Sequence, residues 1–260
     1  WGRGPGAATG HVDGGSHGGR GGLWAGIGPT YGSVTNPTAL GSGGSGGFSS
    51  AGGAILITST NTLTVNGTIS ASGLDRGSGG SVNIVAKELV GSGVIRANGG
   101  TYTGDIYGNG GGGRVAVRLT TGTDFGGVTN MAIGGTNGVK GAAGTVYLKH
   151  AGQPAGAGIV WVHNLLATAT NSLTELPSKR EPFVWVSEMA KATLIVTNKG
   201  VVALTTNLTV GDLFLKGSIT SLFLNGWTLN VDTLYHVDWG SSNWVNAAGG
   251  TIIWKKPVGS

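Results

Sequence analysis

Hydrophobic and polar residues alternate in short runs through the first 150 residues, and paired glycines bracket each run. Gly53-Ala54-Ile55-Leu56-Ile57, Gly80-Ser81-Val82-Asn83-Ile84, Gly113-Arg114-Val115-Ala116-Val117 and Gly144-Thr145-Val146-Tyr147-Leu148 share one phrase. It reads glycine, a small or polar residue, a β-branched residue, any residue, an aliphatic residue. Alternation over four to six residues predicts half-buried strands, and the glycine clusters predict tight turns between them.

The first two phrases belong to a longer repeat. Gly53 maps to Gly80, Ile55 to Val82 and Ile57 to Ile84; after one deletion Gly67 maps to Gly93, Ile69 to Ile95, Ala71 to Ala97 and Gly73 to Gly99. A unit of about 26–27 residues lies in the range of stacked solenoid coils. Residues 51–73 and 79–100 are the two clear units, and 101–111 and 120–143 are insertions between later ones. AGQPAGAG over 150–158 breaks the pattern and predicts a boundary. Beyond it the pattern predicts strands at Phe183–Val186, Thr193–Val196, Leu208–Val210, Leu213–Leu215, Leu222–Leu224 and Leu229–Val231, with a last one at Thr251–Trp254. Lys199-Gly200, Lys216-Gly217 and Asn225-Gly226 are turns, either two-residue hairpins or corners between successive faces of a coil. Helical periodicity is nearly absent, with one short helix conceivable near Glu188–Lys191.

The fold expected is all-β, a right-handed parallel β-helix or β-solenoid with a glycine-rich N-terminal cap; a sandwich or a propeller is the alternative for strands so spaced. Its parts are a cap or assembly segment over 1–50, glycine-rich coils over 51–150, and a second β-solenoid or β-sandwich part over 151–260. Segment 1–50 has the composition of a flexible linker. It also carries Trp1, Leu23, Trp24, Ile27, Tyr31 and Phe48, which a pure linker would not. Glycine backbone packs in closely spaced extended strands where side chains would prevent approach. An ordered segment covering the open first coil is therefore expected, since terminal repeats need capping.

Composition narrows the function. Glycine supplies 54 of 260 residues and charged residues only 10%, against roughly 25% charged in ordinary soluble domains. With 39% hydrophobic residues, the chain is folded rather than disordered. The glycines keep no period of three, which excludes collagen. No cysteine is present, which excludes disulfides and thiol chemistry. No apolar run is long enough to predict a membrane-spanning helix. The chain starts at Trp1, as a processed or excised segment would. Net charge is +5, but the basic residues are scattered, whereas a nucleic-acid partner calls for a clustered stripe.

The pieces Ser16–Gly22, Leu40–Gly44, Gly52–Gly73, Gly77–Gly100, Gly110–Val117 and Gly141–Lys149 together resemble a glycine-rich repeat of large exported β-helical bacterial surface proteins of adhesin-like type. The resemblance covers roughly residues 16–150. The stretch 208–234 is similar to the Leu/Asn/Gly coils that follow in such proteins. The resemblance implies an extracellular, cell-surface role and supplies no catalytic residues.

Candidate chemistry is sparse. Glycoside hydrolysis needs two carboxylates about 5–10 Å apart, and the eleven acids are dispersed, Glu175/Glu181 and Asp232/Asp238 being the nearest pairs in sequence. Tyr102, Asp105 and Tyr107 combine two aromatic platforms with one acid, a pattern that suits a surface glycan and equally suits a turn with packing tyrosines. His11, Asp13 and His17 have a spacing that suits zinc or another divalent ion, or side chains that hydrogen-bond a glycine-rich backbone. No cofactor is expected. Calcium is the metal to consider for an exported solenoid, although the acidic nonapeptide run is missing. Gly108–Gly113 lacks the Gly-Lys-Ser/Thr ending of a phosphate loop. Six tryptophans, Trp161, Trp185, Trp227, Trp239, Trp244 and Trp254, lie in the second half and serve packing, a sugar surface or an interface. The expected function is a non-enzymatic extracellular structural protein, a subunit of a surface fibre, sheath or adhesin that associates with copies of itself. The alternatives are a carbohydrate-binding adhesin module and, behind it, a polysaccharide-degrading β-helix enzyme.

Overall fold

The computed structural model describes residues 2–22, 26–46, 49–104, 106–165, 172–217, 220–237 and 244–256, and for 234–237, 244 and 256 the backbone path alone. The chain moves back and forth between sheets. In the first half β1 (Ala54–Thr64), β3 (Ser81–Val90), β5 (Arg114–Leu119) and β7 (Thr145–Lys149) join one sheet, while β2 (Thr68–Ser70), β4 (Val94–Arg96) and β6 (Thr129–Met131) form a second. In the second half β8 (Ala157–His163), β10 (Lys191–Thr197), β12 (Leu208–Lys216), β14 (Thr228–Val237) and β16 (Thr251–Lys256) extend the first sheet to nine strands. Between them β9 (Thr174–Leu176), β11 (Val201–Leu204), β13 (Ser221–Phe223) and β15 (Trp244–Asn246) form a third sheet. Parallel neighbours cannot be joined by a tight hairpin and need a crossover; here a strand of a facing sheet serves as the crossover.

The pairing register follows the repeat. Ile55 pairs with Val82 and Ile57 with Ile84; the register then shifts between Ser59 and Thr62, and Ile69 pairs with Ile95. The one-residue deletion between the two units is this irregularity, which lets both sheets keep their inward rows aligned. The row continues through Val115 and Val146. Val82, Ile84, Ile95, Val115 and Val146 of these ladders are enclosed, which removes roughly 2 kcal/mol worth of apolar surface from water per side chain.

At β7 the direction reverses. β8 pairs with β7 antiparallel, Val146 opposite Trp161 and Tyr147 opposite Val160. Opposed residues share a face. One apolar cluster joins Val82, Ile84, Val115, Val117 and Val146 to Ile95 of β4, with Trp161 at its border. The other joins Tyr147, Val160, Val162 and Leu194 to Leu176, Val202 and Leu222 of the third sheet. The nine-stranded sheet is thus one wall with two cores on opposite faces, exchanged at the β7–β8 step.

Among the described residues, the second face of β1, β3 and β5 has no partner sheet, and parts of 2–22 and 26–46 lie against it. Val34 enters the second core, Asn36 accepts from Asn83 at 2.9 Å, and Ser81 donates to the Ala39 carbonyl at 2.7 Å. Backbone hydrogen bonds run between glycine-rich segments: Gly79 N–H to Gly111 O (3.0 Å), Gly111 N–H to Gly15 O (2.9 Å), Gly15 N–H to Arg76 O (2.8 Å). These segments approach so closely that a Cβ on Gly19 would stand 2.0 Å from the Ala143 carbonyl oxygen. The N-terminal segment lies along the large sheet, bonding residues from Gly52 to Glu188. Ile55, Ile57, Leu63 and Ile69 of the first layer remain only partly buried. Glycine backbone satisfies its hydrogen bonds best against other glycine backbone, and the glycine clusters of 77–80, 109–113 and 141–144 lie on the flank.

One expected strand changes, and one turn is decided between its two alternatives. Phe183–Val186 is not a strand: Pro182–Trp185 forms a single helical turn, α1, with Pro at its start, where a fixed φ and a missing N–H cost nothing. Phe183 is 79% exposed and has no sheet to join. The short helix therefore lies several residues before Glu188–Lys191. Asn225-Gly226, both at positive φ, joins β13 to β14, which belong to different sheets. It is a corner, not a hairpin.

Candidate functional site

The residues singled out for glycan binding come together in part. Tyr102 and Tyr107 meet edge to face with centroids 5.3 Å apart. The Arg76 guanidinium lies 4.9 and 5.0 Å from their ring centroids, a cation–π arrangement that ties the 101–111 insertion to the preceding turn. The aromatic surfaces are at least partly taken by the protein's own arginine. Asp105 lies outside the described residues.

His11, Asp13 and His17 diverge. His11 is exposed, while Asp13 and His17 are buried. Asp13 accepts from the Gly26 N–H, so this carboxylate organises glycine backbone. Among the described residues, no three His, Asp or Glu side chains gather as metal ligands.

Other carboxylates serve the N-terminal segment. Glu175 accepts from Thr30 N–H (3.1 Å), Thr30 Oγ1 (3.0 Å) and Arg20. Glu188 accepts from Ser33 Oγ, Val34 N–H (2.8 Å) and Thr35. Thr30–Arg20 and Ser33–Thr35 are thereby fastened to the second half.

Among the described residues, Arg114 is the largest fully buried side chain. Nε donates to Tyr31 O (3.1 Å), Nη1 to Thr145 Oγ1 (2.8 Å) and Nη2 to Ser178 Oγ (2.7 Å). Burial pushes its pKa down to about 10, opposed by the charge of Glu188. It therefore stays a cation at neutral pH. Its charge and burial together hold the neighbouring His17 down to about 3, burial being the larger cause. His17 Nδ1 is 2.9 Å from Gly79 O, and Nε2 has no hydrogen-bond partner.

Beside His17 opens a cleft of about 230 Å³ between the N-terminal segment and α1, with Tyr31, Pro5, Pro37, Arg180 and Trp185 among its lining. Sequence reasoning placed His17 with His11 and Asp13 and left Trp185 among the tryptophans; more than 160 residues separate the two sides of the cleft, and no local pattern joins them.

The remaining features are edges. β1 and β16 are the outermost strands of the nine-stranded sheet. Leu56 on β1 is 59% exposed, and Ile253 and Trp254 on β16 are 51% and 50% exposed. Of the other tryptophans, Trp227 is partly exposed and Trp161 stacks near His163 at 5.0 Å; Trp239 and the Trp244 side chain lie outside the described residues. No helix among the described residues is long and apolar enough to cross a membrane. No protein-family model, curated protein or solved structure matches this chain.

Proposed function

We propose that this protein is a non-enzymatic, extracellular structural subunit, a β-solenoid of a surface fibre, sheath or adhesin that associates end to end with copies of itself. In this reading each passage from the large sheet through a facing sheet and back is one coil, and the axis steps across the shared wall at β7–β8. The observation that carries it is the pair of outer edges: among the described residues β1 and β16 end the nine-stranded sheet, and each carries large exposed apolar side chains. Such edges are templates for strand addition.

The polarity makes the contact specific. Strands from β8 onward run opposite to those before it, so β16 of one copy meets β1 of the next antiparallel when copies stack along the sheet. That joint repeats the β7–β8 step already present within the chain. A head-to-tail contact of this kind does not close on itself and gives filaments. The dispersed carboxylates, two of them committed to holding the N-terminal segment, support a structural over a hydrolytic role.

Sedimentation velocity and electron microscopy of the wild type and of a Leu56→Lys, Trp254→Lys double variant test this. Filaments or a concentration-dependent ladder of oligomers are expected from the wild type, and monomers from the variant. A wild type that remains monomeric at high concentration overturns the reading.

A further inference from the structure

β5 and β7 set two cations side by side. Arg118 and Lys149 are partners in the parallel register, so their side chains leave one face of the sheet from strands about 4.8 Å apart. Like charges directly opposite on neighbouring strands repel each other. Among the described residues neither has a carboxylate partner; the ion pairs join Arg20 to Glu175 and Lys255 to Asp232. Arg118 is fixed all the same, because its Nη2 donates to Asn36 Oδ1 (2.9 Å) and Asn83 Oδ1 (2.7 Å). Its Nε is shut off from solvent, but Nη1, from which no described residue accepts, is open. The Lys149 ammonium is likewise open and without a described acceptor. Both residues line a cleft of about 580 Å³, together with Thr35, Thr120 and Glu188. The Glu188 carboxylate is spent on the N-terminal segment, accepting from Ser33, Val34 and Thr35. Two cations against one acid leave the cleft with an excess positive charge.

We infer that this cleft binds a carboxylated sugar residue, with the carboxylate held between Arg118 Nη1 and the Lys149 ammonium. Guanidinium and ammonium groups donate and do not accept, so the group missing between them is an acceptor. A carboxylate makes charge-assisted bonds to both and cancels their mutual repulsion. The volume, about 580 Å³, falls within the roughly 300–1,000 Å³ of small-molecule sites, far more room than a carboxylate alone fills. The rest of the lining suits a ring that bears hydroxyls. Thr35 and Thr120 bring hydroxyl groups, and the turn over 151–156 contributes only alanine and glycine, which leave space. A uronic acid joins a carboxylate to such a ring. β5 and β7 lie inside the nine-stranded sheet, away from β1 and β16, so binding does not depend on association.

The test is equilibrium dialysis of the full chain against radiolabelled galacturonate and glucuronate. Dialysis reads binding in monomer and filament alike, so its outcome is separate from that of the assembly reading. At least one uronate is expected to bind saturably, and added salt should weaken it. Lys149→Gln removes a side chain with no described partner, so folding is not at stake. It should weaken that uronate about tenfold, the loss of one charge-assisted hydrogen bond, and Lys149→Arg should restore most of the affinity. Lys216→Gln, on β12, makes the same change in net charge and should bind as the wild type does. The inference is overturned if neither uronate binds, if Lys149→Gln binds as tightly as the wild type, or if Lys216→Gln weakens binding as much as Lys149→Gln. It is equally overturned if acetate, glucose or sulfate competes as well as the unlabelled uronate.

Discussion

Tyr147 and Val160 stand directly opposite each other on β7 and β8, at the antiparallel step where the core passes from one face of the large sheet to the other. Tyr147 also donates its hydroxyl hydrogen to the Ala157 carbonyl, bracing the turn that reverses the chain. Tyr147→Phe keeps the ring and loses that bond; a loss of about 1 kcal/mol is expected. Tyr147→Ala removes the ring from the second core and should cost about 4 kcal/mol. Urea unfolding followed by tryptophan fluorescence measures both, and equal effects would show that the hydroxyl rather than the packing governs the step.

Glu175 fastens a segment about 145 residues away in sequence. Glu175→Ala leaves Arg20 and Thr30 without their shared acceptor and should destabilise by about 3 kcal/mol. The loss should be local: amide exchange at Arg20 and Thr30 quickens, while Val82–Ala86 stays protected. Uniform acceleration across both regions would refute a strap with separate local anchors.

Arg114 forks to three different parts of the chain. Lysine has one ammonium on a flexible stem and cannot reproduce that geometry. Arg114→Lys should lose about 2 kcal/mol, within the range of hydrogen bonds from a charged donor, and thermal unfolding should shift accordingly. An unchanged midpoint would mean that Tyr31, Thr145 and Ser178 hold together without the fork.

His17 makes stability depend on pH. Its pKa in the folded chain, about 3, lies below the ordinary value near 6.5, so between these limits the unfolded chain binds the extra proton. Stability from this group is complete above about pH 6.5 and is lost progressively as pH falls toward 3, on the order of 5 kcal/mol in all. His163, lowered by its own burial, acts in the same direction. Unfolding midpoints taken between pH 4 and 7 should fall with acid in the wild type and less steeply in His17→Gln.

Gly19 tests the close approach of backbone to backbone. A methyl at Gly19 would collide with a carbonyl that cannot rotate away, and Gly19→Ala should cost about 3 kcal/mol. Gly53→Ala is the control, because a Cβ there meets nothing within 4 Å. Comparable losses from the two substitutions, read by differential scanning calorimetry, would count against the packed glycine flank.

Strand pairing was legible because it follows from period-two alternation and from the repeat. Val82, Ile84 and Val115 align where the phrase aligns them, and the deletion between units surfaces as the Ser59/Thr62 irregularity. Arg114 also left a trace: it occupies the position that holds Ala54, Ser81 and Thr145 in the other phrases, and a long cation among small residues marks a place where something else comes close. The reversal at β7–β8 was visible only as a break at 150–158. Alternation says which residues share a face but not which face is covered, so nothing local announces that Tyr147 and Val160 are inside. The cleft was illegible, since its lining comes from His17 in the N-terminal segment and Trp185 on α1, and no local pattern joins the two.

Residues 2–46 are synthesised before the strands they lie against, and their anchors at Glu175 and Glu188 emerge some 150 residues later. The glycine strand must remain unattached at its far end while the hydrophobic layers assemble one on another, because the entropic cost of closing so long a loop is met only once both ends have somewhere to bind. The bonds of this segment to Glu175 and Glu188 therefore close some of its longest loops, and they fasten like a seam what its bonds to Gly52 and Arg76 hold nearer by.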